Sequence, residues 1–89
     1  MAWILDQTRK LSLNSDNCDY IYVESRTKTI KAAIGDSVKI ALGTYSSTEQ
    51  CLQIINVLNS SLHKYDWIEM PLNGEETIKF TEEYRTFGS

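Results

Sequence analysis

The hydrophobic pattern of this chain changes period near residue 45. Before that point apolar and polar residues alternate. Leu11 and Leu13 stand against Lys10, Ser12 and Asn14, and Ile21 and Val23 stand against Tyr20, Tyr22 and Glu24. Ile30, Ala32 and Ile34 share one parity, as do Val38, Ile40 and Leu42 against Lys39, Ala41 and Gly43, and an apolar run at 2–5 opens the chain. Successive strand side chains point to opposite faces, so this pattern predicts half-buried strands. Beyond it Cys51, Ile55, Leu58 and Leu62 recur at helical spacing, Leu52 and Ile54 widen the stripe, and Gln50, Gln53, Asn56, Ser60 and Lys64 fall mostly opposite. That predicts one amphipathic helix of about four turns. Neither the stripe nor the sheet face buries its surface alone, so the helix is expected to lie across the sheet.

The connectors favour hairpins. "NSDNCD" at 14–19 and "SRTK" at 25–28 are polar, and Gly35 in "GDS" supplies a residue that tolerates positive φ. Short loops between alternating runs predict an antiparallel meander. "YDWIEMP" returns to strand character at Trp67 and Ile68, and Pro71 closes it. The expected fold class is α+β: an antiparallel sheet of about five strands with one helix on one face. Residues 1–71 form the single domain. Residues 72–89, "LNGEETIKFTEEYRTFGS", read as an arm. Ile78, Phe80 and Tyr84 share a strand-like parity, while Glu75, Glu76, Glu82 and Glu83 favour a mobile segment.

"LGTYSSTEQ", residues 42–50, joins a glycine and several hydroxyls to the helix start. A phosphate loop needs convergent glycines and a following lysine. Here Gly43 stands alone, the next lysine is Lys64, and Glu49 would repel an anion. The stretch reads as a helix entry, with Ser46 as N-cap and Glu49 as its capping-box partner, and Tyr45 packing on the first turn. The alternative pair is Ser47 with Gln50.

No other constellation assembles a reaction centre. Cys18 and Cys51 lie far apart and His63 is the only histidine, which does not meet zinc spacing. Asp16 and Asp19 fit an Asx-rich turn better than a calcium loop. Cys51 falls on the apolar stripe, Cys18 reads as an exposed loop thiol, and His63 with Lys64 is expected in the last helical turn. The chain is therefore expected to be no enzyme and to need no cofactor or metal. It shows no signal-peptide pattern and no long apolar run, which favours a cytoplasmic protein with reduced thiols.

Two binding surfaces compete. Trp3, Trp67, Phe80 and Phe87 are a large aromatic load for 89 residues, and with Tyr84 they are candidates for protein contact. Tyr20, Tyr22, Lys31 and Lys39 have the parity opposite to the core set and would share the open sheet face, where rings and cations suit nucleic acid or nucleotides. The net charge of −3 weighs against that alternative. A homodimer whose second chain covers the open face is a third arrangement.

"WILDQTRKL", "LGTYSSTEQCLQIINVL" and "WIEMP", taken in this order over residues 3–71, resemble a pattern in small uncharacterised proteins of Gram-positive bacteria and their phages. The resemblance implies a phage or mobile-element accessory protein or inhibitor that binds a host or defence protein, and it assigns no functional residue.

Overall fold

The computed structural model describes residues 2–72 and 79–81. Its fold is α+β, with strands β1 (Trp3–Leu5), β2 (Ser12–Asn14), β3 (Tyr20–Glu24), β4 (Thr29–Ile34) and β5 (Val38–Thr44), helix α1 (Thr48–Ser61), then β6 (Trp67–Glu69) and β7 (Lys79–Thr81). The strands form two sheets rather than one. The first has the order β2-β1-β6-β7 and the second is the meander β3-β4-β5. All pairings are antiparallel except β1 with β6. A parallel pair needs a long crossover, and the segment containing α1 supplies it. Alternation marks strands without naming their neighbours, so the parallel pair has no local signature.

A short 3-10 turn at Ser15–Asn17 carries the chain from one sheet to the other, with the Asn14 side chain accepting from the Asp16 N–H at 3.0 Å. At the β4–β5 hairpin Gly35 has φ 65°, as expected of that turn. Lys28, in the β3–β4 turn, has φ 55° without being glycine.

One core joins the sheets and the helix. Ile4, Leu13 and Ile68 enter it from the first sheet, Ile30, Ala32 and Leu42 from the second, and Cys51, Ile54, Ile55 and Leu58 from α1. Full burial of such a side chain is worth about 1.5–3 kcal/mol. The helical stripe differs from expectation in detail. Leu52 is exposed, while Ser61 is buried and donates its hydroxyl to the Val57 carbonyl at 2.6 Å. Val38, at the start of β5, is also exposed. A register shift between Ile30 and Lys31 pairs Ile30 with Gly43 but Lys31 with Ala41, leaving Leu42 without a partner in register. This β-bulge lets consecutive residues Leu42 and Gly43 both be buried, which strict alternation does not allow.

The sheets are also tied at their edges. Gln7 donates its backbone N–H to the Leu42 carbonyl at 2.8 Å. Its side-chain amide donates to the Thr44 carbonyl at 2.9 Å and accepts from the Thr44 N–H at 3.0 Å. Gln7 thus occupies the far end of β5 as a neighbouring strand residue would.

The helix entry corrects the sequence reading. Ser47 is the N-cap, accepting from the Gln50 N–H at 3.1 Å. The Gln50 carbonyl oxygen reaches back to the Ser46 N–H at 3.2 Å and hydroxyl at 2.7 Å. Starting the helix one residue later leaves Tyr45 room to turn its ring into the core. At the other end α1 stops at Ser61, so His63 and Lys64 lie past the last turn rather than in it.

Candidate functional site

The parallel register places Trp3 opposite Trp67, Ile4 opposite Ile68 and Leu5 opposite Glu69. Ile4 and Ile68 are fully buried, so Trp3, Leu5, Trp67 and Glu69 have the outward parity. Trp3 is 42% exposed and Trp67 is half-buried. The two indoles, 64 positions apart in the chain, therefore stand on neighbouring strands of one outer face.

This face is braced from one turn. Trp67 Nε1 donates to Glu69 Oε2 at 3.2 Å, and Glu69 Oε1 lies 3.8 Å from Arg9 Nη2. The other guanidinium nitrogen donates to the Met70 carbonyl at 2.9 Å and to the Asp6 carbonyl at 3.2 Å. Arg9 reaches these atoms from a left-handed backbone position, φ 64°. That turn is fixed by Asp6, which is buried and accepts from the Thr8 hydroxyl at 2.7 Å and from the Lys10 and Leu11 N–H groups at 3.1 Å each. Burial alone would raise the Asp6 pKa. The Thr8 hydroxyl and the backbone donors outweigh it and hold the carboxyl below its ordinary value.

Of the remaining aromatic candidates, Phe80 takes the register position opposite Ile68 in β7, and Tyr84 and Phe87 lie outside the described residues. Most of the arm at 72–89 lies outside them too, but its strand-like parity corresponds to a real strand at Lys79–Thr81. The signal for the brace was present as Trp67 and Glu69 two apart on a strand. Nothing local pointed to Arg9.

The second candidate surface also assembles. In the meander Tyr20 stands in register with Ala33 and Lys39, and Tyr22 with Lys31 and Ala41. The Tyr20 and Tyr22 rings are 5.6 Å apart between centroids and inclined by 48°. Lys31 is not available as an open cation, because its ammonium pairs with the Glu24 carboxylate. The pair raises the Lys31 pKa, and with the Thr27 hydroxyl it lowers that of Glu24. Lys39 remains exposed beside the tyrosines.

The cysteines sit in quiet surroundings. Cys51 is buried and its Sγ donates to the Lys28 carbonyl at 3.2 Å. Cys18 is half-buried rather than exposed. Burial, then the neighbouring Asp19, push its thiol pKa up, away from thiolate reactivity. Asp19 Oδ2 accepts from the Gly35 N–H at 2.7 Å, joining the start of β3 to the β4–β5 turn. Among the described residues no group of three or more His, Cys, Asp or Glu converges as metal ligands would, and no helix is long and apolar enough to cross a membrane.

No protein-family model, curated protein or solved structure matches this chain.

Proposed function

We propose that this chain is a non-enzymatic protein-interaction module that docks a partner protein on the outer face of β1 and β6, with Trp3 and Trp67 at the centre. The observation that carries the reading is the in-register tryptophan pair on an outer face, with one indole held by Glu69, which in turn pairs with Arg9. Large aromatic side chains dominate the buried centres of interfaces. A ring already fixed by a hydrogen bond loses less conformational freedom on binding than a mobile one. The resemblance noted in the sequence supports the setting: an accessory protein or inhibitor of phage or mobile-element type acting in the cytoplasm on a host or defence protein. Phe80 shares the register row of the buried Ile68, so the reading rests on Trp3 and Trp67.

The test is affinity capture by the full-length protein from a nuclease-treated Gram-positive lysate, run beside Trp3→Ala and Trp67→Phe. A stoichiometric protein partner is expected with the wild type, and its loss with Trp3→Ala at unchanged far-UV CD. Equal capture by Trp3→Ala would move the interface elsewhere.

A second reading is nucleic-acid or nucleotide binding on the Tyr20, Tyr22, Lys31 and Lys39 face, favoured by the tilted tyrosine pair beside Lys39. It is weakened by the Glu24–Lys31 pair, which cancels one of its two cations. Binding to a labelled single-stranded oligonucleotide that falls steeply with salt and is reduced by Lys39→Ala would establish it.

A further inference from the structure

We propose that the outer face of β3-β4-β5 pairs with the same face of a second copy, about a two-fold axis parallel to β4 and midway between the two faces. This does not rest on the tryptophan surface, which belongs to the other sheet. The argument comes from how size and charge are distributed across the three strands. On the outward parity, edge strand β3 carries the large rings Tyr20 and Tyr22. The opposite edge strand β5 carries small Ala41 and the cation Lys39 in the same two register rows. Tyr20 is 56% exposed, and Ala41 and Lys39 are exposed too, so the two edge strands of the face are open, while Ala33 between Tyr20 and Lys39 is buried.

This axis sets β3 of one copy over β5 of the other at the same level. Tyr22 then falls on Ala41 of the second copy, a ring against the smallest side chain of its row. Tyr20 falls on Lys39 of the second copy, where the ammonium meets a ring face. Because the axis makes the contact reciprocal, both complementary pairs occur twice. The axis itself would bring two Lys31 side chains together. Each is already neutralised by Glu24 of its own chain, so the centre carries no net repulsion. The same pairing makes the face a poor match for a polyanion and a good one for itself. Face-to-face sheets pack about 10 Å apart, a gap these side chains can fill.

The experiment is sedimentation equilibrium of the full-length protein over a concentration series. Three variants accompany it, each checked by far-UV CD: Ala41→Arg, Tyr22→Ala and Trp3→Ala. A concentration-dependent species near twice the 10.2 kDa chain is expected. Ala41→Arg and Tyr22→Ala should each weaken it about tenfold or more, the equivalent of about 1.4 kcal/mol. Trp3→Ala should leave it unchanged. A wild type that stays monomeric throughout overturns the proposal. So does a dimer indifferent to both Ala41→Arg and Tyr22→Ala, or one broken by Trp3→Ala alone. Loss of partner capture in Trp3→Ala with the dimer intact separates the two surfaces.

Discussion

The ring of Tyr45 lies across Gly43. A Cβ at residue 43 would meet the Tyr45 hydroxyl oxygen at 2.5 Å and two of its ring carbons at 2.8 and 2.9 Å. The same hydroxyl donates to the Pro71 carbonyl at 2.8 Å, and burial pushes its pKa well above the ordinary tyrosine range. The glycine of "LGTYSSTEQ" is thus the seat of a buried ring that ties the entry of α1 to the end of β6.

Gly43→Ala is expected to destabilise the fold by about 1–3 kcal/mol, because the ring must shift within a packed core. Tyr45→Phe should cost about 1–2 kcal/mol through the lost hydrogen bond to Pro71. The two changes should not add, since removing the hydroxyl removes the nearest clash atom. Urea unfolding of both single variants and the double variant measures this coupling.

The cap distinguishes two adjacent serines. Ser47→Ala removes the acceptor for the Gln50 N–H and should cost about 1 kcal/mol. Ser46→Ala removes only an exposed hydroxyl contact with the Gln50 side chain and should cost a few tenths of a kcal/mol, by comparison with surface changes of up to about 0.5 kcal/mol. A larger loss for Ser46→Ala than for Ser47→Ala in thermal unfolding would place the cap at Ser46.

Asp6 makes stability depend on acid. Its folded pKa lies below the ordinary value of 3.8, so its contribution is fully present above about that pH. The contribution is lost as pH falls through the lower, folded-state pKa. Asp6→Asn should flatten this acid limb in a series of unfolding curves. Asp6→Ala at neutral pH should cost on the order of 2–3 kcal/mol, because several donors lose one charged acceptor.

Two side chains sit at positive φ for different returns. Lys28 has φ 55° and its backbone carbonyl accepts from the Tyr45 N–H at 3.0 Å and from Cys51 Sγ at 3.2 Å. These contacts do not use its side chain, so Lys28→Gly should keep them and raise stability by up to about 1 kcal/mol by relieving the left-handed penalty. Arg9, at φ 64°, holds Glu69, Met70 and Asp6 with its guanidinium, so Arg9→Gly should lower stability instead. The opposite signs of the two changes, read by thermal unfolding, check the assignment.

Whatever depends on local period or a single backbone preference is legible along the chain. The alternation at Ile21 and Val23 and at Ile30 and Ala32 marks strands because side chains switch face at each residue. The 3.6-residue spacing of Cys51, Ile55 and Leu58 marks the helix, and Gly35 marks its turn. The same parity placed Tyr20, Tyr22, Lys31 and Lys39 on one face, though not the Glu24 partner that neutralises Lys31. Which strands are neighbours follows from packing across the whole fold. That packing sets Trp3 beside Trp67, bulges β5 at Leu42, and uses Gln7 and Arg9 to join segments 37 and 61 residues away. These contacts form because two sheets and a helix must share one apolar core. The register that satisfies all three is a property of the packed whole, carried by no single stretch of the chain.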